Sequence, residues 1–300
     1  METKALEYIL EIARCRSITK AAQALGISQS ALSQILLRVE RDVGMCLFTR
    51  QKRALQLTEA GELYVDTAQK IVDLRNKLTA DLKDLSEARH LRVGVTSFWG
   101  MTMMKEILPK FHEQFPDQPI ELKQYNYANM MDEFLSYRVD IAAGTLSNHD
   151  VLPDNCEVLR QEEMVLIISP DHPFAQKHCH ESELPENVLR RDLEGVSFIR
   201  SAVGSTARTM EDELFERIGL KMRTFCEVTD YSAFLGLVEA GLGFAFISSD
   251  FIENCDTVCH WHLKPKMRRQ NALYIRPGLK IGDREKFLID SIRNYRLFKK

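Results

Sequence analysis

Residues 17–50 constrain the fold of this chain more than any other segment, because they predict two short helices joined by a tight turn. Ser17 is a good N-cap residue, and apolar residues follow it at helical spacing as far as Leu25. Gly26 is placed to end this helix with a positive φ, and Ser28 is placed to cap the next one. The second helix has one apolar stripe and one hydrophilic side. The hydrophilic side consists of Gln29, Ser30, Ser33, Gln34 and Arg38.

This arrangement is typical of a helix-turn-helix whose second helix enters the major groove of DNA. Gln and Ser reach base edges there, and Arg reaches guanine or phosphate. Beyond Gly44, two short apolar segments flank a basic stretch, which predicts a two-stranded wing with a basic tip. The alternative is a helical hairpin packed in an ordinary core. The candidate DNA-contacting residues are Ser28, Gln29, Ser30, Ser33, Gln34, Arg38, Arg50, Lys52 and Arg53.

The charge of the chain is divided unevenly between its N-terminal segment and the rest. The formal net charge is −3, but residues 1–57 carry nine Lys or Arg and five Asp or Glu. This segment is therefore +4 and the remainder is −7. A basic head on an acidic body indicates that the head alone binds the phosphate backbone of DNA.

Before position 62 the chain carries Ala21-Ala22, Leu25, Ser28-Gln29-Ser30-Ala31-Leu32-Ser33, Glu40, Gly44, Leu47-Phe48, Arg50 and Leu57-Thr58-Glu59-Ala60-Gly61. In order and spacing, these residues resemble the signature of LysR-type transcriptional regulators. Gln34 departs from it, because many members carry Arg there. The resemblance implies an N-terminal all-α winged helix-turn-helix, a long linker helix and a C-terminal α/β two-lobed periplasmic-binding-protein-like (type II) effector domain.

The domain boundaries that we predict are 1–58 for the DNA-binding domain, 59–88 for a dimerisation linker helix and 89–300 for the effector-binding domain. Apolar residues repeat along the linker with a seven-residue period, and the opposite face is charged, which favours pairing with a second chain over packing on its own domain. The repeating residues are Tyr64, Ile71, Leu78 and Leu85, with Leu74 and Leu82 beside them. We therefore expect a homodimer, and the resemblance favours a homotetramer built from dimers.

From Leu91 onward, strands alternate with helices, which predicts mostly parallel sheets with helices on both faces. The resemblance implies two lobes joined by two crossovers, with lobe I at about 91–161 and 267–300 and lobe II at about 162–266. In open parallel sheets, ligands bind beyond the carboxyl ends of the strands, near helix N-termini. That rule predicts a cleft between the lobes for a small anion, one that carries a carboxylate and an apolar or aromatic portion.

The candidate effector-binding residues follow the predicted strands. The alternative for the Ser and Thr residues is that they only cap helices, and for Arg200 that it forms a surface salt bridge. The candidates are Thr96, Ser97, Phe98, Trp99, Thr102, Gly144, Thr145, Arg200, Ser201, Ser205, Thr206 and Tyr231.

Together these features predict a cytoplasmic transcriptional regulator that binds double-stranded promoter DNA and a small effector. No cofactor, metal, membrane segment or enzymatic activity is expected, and RNA polymerase is a further partner. Two alternatives stay open: a redox- or metal-responsive regulator of the same fold, and a two-lobed solute-binding protein. The first would use Cys226 or Cys255, or one of two Cys and His clusters. The clusters are His172, His178, Cys179 and His180, and Cys255, Cys259, His260 and His262.

Overall fold

The computed structural model describes residues 3–51, 54–83, 90–146, 155–252 and 255–295. The chain divides into two compact units, Met1–Ser86 (unit 1) and Glu87–Lys300 (unit 2). Lys52, Arg53 and Leu85, which the sequence predicts to be functional, lie outside the described residues.

Unit 1 is a helix-turn-helix followed by a β-hairpin and a long helix. The hairpin strands pair antiparallel, from Phe48 opposite Leu57 to Gln51 opposite Ala54. Helices and strands pack around one apolar core that includes Ile9, Leu32 and Leu47. The elements are α1 (Thr3–Cys15), α2 (Ile18–Leu25), α3 (Gln29–Val43), β1 (Phe48–Gln51), β2 (Ala54–Leu57) and α4 (Glu59–Lys83).

The turn between α2 and α3 forms as the sequence predicts. The Ser17 side chain accepts a hydrogen bond from the Lys20 amide at the start of α2. Gly26 ends that helix with φ +66°, a left-handed conformation that favours glycine. Ser28 then caps α3 by accepting from the Ala31 amide at 3.1 Å. The two caps and the glycine fix where each helix begins and where the chain turns.

Helix α4 packs on α1 with one face and exposes an apolar stripe on another. Ala68 and Val72 are buried against Leu6, and Tyr64 joins this contact. Tyr64 is therefore part of the unit's own core, and its predicted place on the repeating apolar stripe is wrong. The exposed stripe consists of Leu63, Ile71, Leu74, Leu78 and Leu82.

Unit 2 is an α/β structure with two lobes. Its strands are β3 (Leu91–Thr96), β4 (Ile120–Tyr125), β5 (Ile141–Leu146), β6 (Cys156–Ile168), β7 (Glu183–Pro185), β8 (Ser197–Ser201), β9 (Arg223–Val228), β10 (Ala245–Ser248), β11 (Cys259–Lys264) and β12 (Met267–Ile275). Its helices are α5 (Ser97–Gln114), α6 (Tyr127–Leu135), α7 (Pro173–Lys177), α8 (Glu186–Leu193), α9 (Thr206–Ile218), α10 (Tyr231–Glu239) and α11 (Asp283–Arg293), with a 3-10 helix at Ser249–Phe251.

Long strands β6 and β12 join the two lobes. In the described residues the main sheet has the order β4-β3-β5-β12-β6-β11-β7, with β10 also paired to β6, and β8 pairs with β9. Strands β3, β4 and β5 are parallel, but β12 is antiparallel to both β5 and β6. The prediction of mostly parallel sheets is therefore wrong. A chain that leaves lobe I along β6 and returns along β12 must run in opposite directions in these two strands.

Each lobe has its own apolar core. In lobe I, α5 and α11 cover one face of the sheet, and α6 covers the other around Phe134 and Tyr274. In lobe II, Phe198 and Trp261 belong to one cluster, and Val238 belongs to a second cluster under α10. No helix among the described residues is both long and apolar enough to cross a membrane.

Several element boundaries differ from the sequence prediction, and these differences move candidate residues. The sequence periodicity predicts a helix over about 102–115, but α5 begins at Ser97, directly after β3. Strand β5 extends to Leu146, so Gly144 and Thr145 lie inside the strand and not in a loop after it. The sequence does not predict elements α7, β7, α8 and β11.

Candidate functional site

The exposed side of α3 carries most of the predicted DNA-contacting residues. Gln29, Ser30, Gln34 and Arg38 are exposed, whereas Leu32, Leu36 and Val39 are buried in the core of unit 1. Ser33 is half-buried and accepts a hydrogen bond from Gln29 Nε2 at 3.3 Å. The helix thus holds its apolar stripe inward and leaves a row of amide, hydroxyl and guanidinium groups facing outward.

The start of the wing is held by a carboxylate that the sequence reasoning did not single out for a role. Glu40 Oε1 accepts hydrogen bonds from the amides of Leu47 (2.7 Å) and Phe48 (3.2 Å). Thr58 donates its hydroxyl to the Cys46 carbonyl and accepts from the Gly61 amide. The sequence spacing between Glu40 and Leu47-Phe48 could have indicated this contact. Arg50 lies in β1, but its side chain is outside the described residues.

A cavity of about 660 Å³ lies between the two lobes of unit 2. Lobe I contributes the residues that follow β3 and β4, and lobe II contributes those that follow β8 and β9. The lining residues are Thr96, Ser97, Phe98, Met101, Lys105, Gln124, Tyr125, Asn126, Tyr127, Thr145, Ser201, Ala202, Ser205, Thr206, Ala207, Val228, Thr229, Asp230, Phe234 and Arg269.

Three threonine hydroxyls link the lobes at this cavity. Thr96 Oγ1 accepts from the Thr145 amide at 2.9 Å, and the hydroxyls of Thr145 and Thr206 are 2.8 Å apart. Arg269 extends the chain of contacts, because its Nη1 donates to Thr206 Oγ1 at 3.3 Å and its Nε donates to Glu162 at 2.6 Å. A network of this kind joins lobe I, lobe II and crossover strand β12.

The Arg269–Glu162 pair is almost fully buried, and both groups are charged. Burial acts to raise the pKa of Glu162, but the adjacent Arg269 charge and hydrogen bond outweigh it, and the pKa is lowered. Because the carboxylate neutralises the guanidinium, the pair supplies hydrogen-bond donors at the cavity without a large net charge.

Helix N-termini converge on the same cavity. Asn126 caps α6 by accepting from the Asn129 amide, and Ser205 caps α9 by accepting from the Arg208 amide. Helix α5 starts at Ser97, which has φ +61°, and its buried Oγ has no hydrogen-bond partner among the described residues. Because helix N-termini carry partial positive charge and free N–H groups, this arrangement favours an anion.

Seven of the predicted effector-binding residues line the cavity: Thr96, Ser97, Phe98, Thr145, Ser201, Ser205 and Thr206. Trp99 does not, because α5 starts early and turns this side chain into the core of lobe I. Arg200 forms an ion pair with Asp212 of α9 instead of lining the cavity. Gly144 lies within β5, close to the Met130 side chain. Thr102 lies in α5 and is not a lining residue, and the Tyr231 side chain is outside the described residues.

Several lining residues were missed by the sequence reasoning. Tyr125 ends β4 and is followed by Asn126 and Tyr127, just as Thr96 ends β3 and is followed by Ser97 and Phe98. The same strand-end rule applied to β4 would therefore have found these residues. Arg269 lies inside β12 and lines the cavity only because the chain returns between the lobes, for which the local sequence holds no signal.

Three histidines of the two predicted clusters have other contacts in the structure. The two ring nitrogens of His178 lie against Glu181 and Asp192, and His172 Nδ1 accepts from the Phe174 amide. His262 Nδ1 contacts Glu163 at 2.6 Å. Among the described residues, no group of three or more His, Cys, Asp or Glu side chains is arranged to hold a metal ion.

Comparison with known protein families covers both units. Residues 3–62 match the model of the bacterial regulatory helix-turn-helix proteins of the lysR family. Residues 85–296 match the LysR substrate binding domain, which is more than half of the chain. The chain belongs to the LysR family of transcriptional regulators. The α3 surface and the interlobe cavity thus lie in the helix-turn-helix and substrate-binding parts of a LysR regulator.

Individual relatives agree with this assignment. The transcriptional regulator BudR of Raoultella terrigena is 29% identical over 266 residues, covering 87% of this chain and 89% of BudR. The CcmR regulatory domain of Synechocystis PCC6803, in complex with 2-PG, has a TM-score of 0.56 at 18% identity, over 68% of this chain and 95% of that chain. The QuiR effector binding domain, in complex with shikimate, has a TM-score of 0.54 at 19% identity, over 68% of this chain and 95% of the QuiR domain.

Proposed function

We propose that this LysR-family regulator binds double-stranded promoter DNA sequence-specifically, and that a small anionic effector in the interlobe cavity modulates DNA binding or activation. The outward row of Gln29, Ser30, Gln34 and Arg38 on a capped helix carries the DNA part of the proposal. The cavity with its converging helix N-termini carries the effector part. Contact with RNA polymerase stays a prediction from the family resemblance.

The DNA-binding face has the chemistry of base reading. Gln pairs with adenine edges, and Arg pairs with guanine edges or phosphate. Because the apolar side of α3 packs in the core, these polar groups face outward and can enter the major groove. The basic charge of the N-terminal segment supports binding to phosphates, so affinity should decrease as salt concentration increases.

A gel shift with the DNA upstream of the protein's own coding sequence tests this part. Gln34→Ala should weaken the free energy of DNA binding by about 1–3 kcal/mol and so reduce retention, because a base-reading group is lost. Gln69→Ala removes the same residue type from the exposed side of α4 and should leave retention unchanged. Equal retention of both variants, or no retention of the unmodified protein at low salt, would refute the DNA assignment.

The effector part rests on the cavity chemistry. Lys105 and three helix N-termini face a space of about 660 Å³, the buried Arg269–Glu162 pair adds hydrogen-bond donors, and hydroxyl groups line both sides. Domains of the same fold have been solved in complex with 2-PG and with shikimate, which supports a small-molecule ligand here. The effector must bind one arrangement of the lobes more tightly than another, since a ligand with equal affinity for both shifts nothing.

Thermal-shift measurements on the full chain with 2-PG, shikimate and a panel of small carboxylates test the effector part. A binding compound should raise the unfolding temperature. Ser97→Ala should reduce the shift, because Ser97 Oγ is buried and finds no hydrogen-bond partner in the described part of the chain. Footprints on promoter DNA with and without that compound should differ in length or position. An unchanged footprint together with unchanged transcription at saturating ligand would exclude effector control.

The exposed stripe of α4 supports self-association as part of the same proposal. Four Leu side chains and one Ile lie along one side of a 25-residue helix, at 40–70% exposure. Two such stripes can bury each other in a dimer, which would place two recognition helices on two half-sites. The predicted homodimer and the homotetramer built from it remain proposals.

A further inference from the structure

One buried acid, Glu211, contacts the cavity through a single residue. Its carboxylate lies inside lobe II with no exposed surface, on the second turn of α9. Oε1 accepts the Ser201 hydroxyl at 2.6 Å, and both carboxylate oxygens lie within 3.3 Å of the Ser201 amide nitrogen. Ser201 in turn lines the interlobe cavity. Glu211 therefore has no contact with the cavity of its own, but it holds one of the lining hydroxyl groups.

The protonation of Glu211 decides which hydrogen bonds Ser201 can form with a ligand. An ionised carboxylate only accepts, so the Ser201 hydrogen must point to Glu211, and the hydroxyl can only accept from the cavity. A protonated carboxyl group can donate to Ser201 Oγ, which releases the Ser201 hydrogen to point into the cavity. One proton thus converts Ser201 from an acceptor to a donor toward the ligand.

We propose that Glu211 is a proton-dependent specificity residue of the effector site. With Glu211 ionised, Ser201 favours an effector that carries a hydroxyl or amine at that position over one that carries a carbonyl. With Glu211 protonated, Ser201 can form a hydrogen bond with either kind of effector. This inference rests on the proposed effector binding and adds the chemistry that the site selects.

The charges around Glu211 permit the proton to exchange near neutral pH. The cations acting on it are Arg200 of β8 and Arg208 of α9, and the acids Asp212 and Glu227 pair with these cations. Burial raises the pKa of Glu211 to about 7, although the Ser201 hydrogen bonds and the two Arg charges act to lower it. Arg208 also donates to the Ser201 carbonyl at 3.1 Å, which fixes this residue from its other side.

Matched pairs of 2-hydroxy and 2-keto acids test the specificity on the full chain. Lactate and pyruvate, malate and oxaloacetate, and 2-hydroxyglutarate and 2-oxoglutarate differ within each pair only in a hydroxyl or a carbonyl group at carbon 2. By calorimetry, we expect the hydroxy acid of a binding pair to bind about tenfold more tightly than the keto acid at pH 8, and equally at pH 5.5. Near pH 7, the protein should take up a proton when the keto acid binds. The measured binding enthalpy should therefore differ between buffers of different ionisation enthalpy.

Three variants separate this role from a structural one. Glu211→Gln should remove the pH dependence of the preference, and Ser201→Ala should remove the preference itself. Ser97→Ala, which lacks a hydroxyl in lobe I, should weaken binding but keep the pH dependence. Preserved pH dependence in Glu211→Gln, or hydroxy and keto acids that bind alike at pH 8, would overturn the inference while leaving effector binding intact.

If no acid of the panel binds, an experiment without ligand tests whether Glu211 titrates near neutral pH. Infrared difference spectra of the full chain between pH 5 and pH 9 should contain a carboxyl band with a midpoint near pH 7. This band should be absent in Glu211→Gln, and its midpoint should rise in Ser201→Ala, because the carboxylate loses a hydrogen bond. A midpoint near 4.5 would overturn the inference, because Ser201 would then face a carboxylate throughout. A midpoint near 7 without binding of any acid would support the Glu211 switch and count against the proposed effector class.

Discussion

Gly61 occupies a point where two backbone segments come too close for a side chain. A Cβ there would overlap the carbonyl oxygen of Leu47 and approach the Leu57 side chain at 3.0 Å. The Gly61 amide is meanwhile held by Thr58. At this residue, the beginning of α4 and the segment before the wing are joined by close approach of backbone and not by side-chain burial.

Gly61→Ala should therefore destabilise unit 1 by about 1–3 kcal/mol, because the overlapping backbone has to move. Both Trp residues lie in unit 2, so loss of far-UV circular dichroism without a change in tryptophan fluorescence reports unit 1 in urea titrations. The matched control is Gly236→Ala in α10, where an added Cβ meets nothing within 4 Å. It should stabilise unit 2 slightly. Equal effects of the two changes would contradict this account.

The buried carboxyl of Glu211 predicts a pH dependence of stability. Its pKa rises from 4.5 to about 7 in the folded state, so the folded state holds the proton more tightly than the unfolded state. The resulting stabilisation is complete below pH 4.5 and is lost as the pH rises through 7.

Between pH 4 and pH 8, the wild-type chain should lose about 3 kcal/mol of unfolding free energy relative to Glu211→Gln. Urea unfolding of both proteins, followed by tryptophan fluorescence at several pH values, measures this difference. Parallel curves for the two proteins over that range would show that Glu211 does not titrate as described.

At the scale of elements, the recognition helix and the wing are coupled by Glu40. This residue lies in the last part of α3, and its carboxylate binds the amides at the start of β1. The sequence spacing of Glu40, Gly44 and Leu47-Phe48 thus reflects one contact, between the Glu40 carboxylate and the amides of Leu47 and Phe48. The helix that presents Gln34 and Arg38 and the hairpin that carries Arg50 are held in one arrangement by it.

Glu40→Ala should reduce the stability of unit 1 by about 1–3 kcal/mol, since two amides lose a charged acceptor. It should also weaken DNA retention, because the wing is no longer fixed to α3. Far-UV circular dichroism in urea and gel shifts measure the two effects. Asp42→Ala removes an exposed acid from the same helix and should change neither by more than about 0.5 kcal/mol.

Element boundaries could be predicted where a local signal exists. The turn around Gly26 and strands β3, β4 and β9 agree with their sequence patterns, because caps, a turn glycine and short apolar runs are local. The start of α5 could not be predicted from periodicity. Ser97 adopts φ +61° directly after β3, and the helix begins there, ahead of its apolar periodicity.

At the scale of the whole molecule, two units carry separate tasks and an exposed apolar stripe remains on α4. Leu74 and Leu78 are 68% and 59% exposed, which is unusual for leucine on a helix that packs its other face. Covering this stripe with a second copy would bury apolar area and account for its composition.

Leu74→Glu combined with Leu78→Glu should therefore shift the protein toward monomers in sedimentation velocity experiments, because charges would face each other in the proposed dimer. Gln69→Glu lies on the opposite side of α4 and should leave self-association unchanged. The double variant should also reduce gel-shift affinity for a two-half-site promoter more than for a single half-site. A double variant that sediments like the unmodified protein would place the interface elsewhere.

The sequence alone determined the family, the helix-turn-helix with its outward Gln and Arg residues, and the alternation of strands and helices in unit 2. These features depend on caps, glycines and periodicities that act over a few residues. Only the tertiary structure decided that the sheet is mixed, that Trp99 and Arg200 lie away from the cavity, that Arg269 lines it and that Glu211 is buried behind Ser201. Such placements depend on β12 returning between the lobes and on which side of a strand or helix faces a distant element, and no local pattern encodes either.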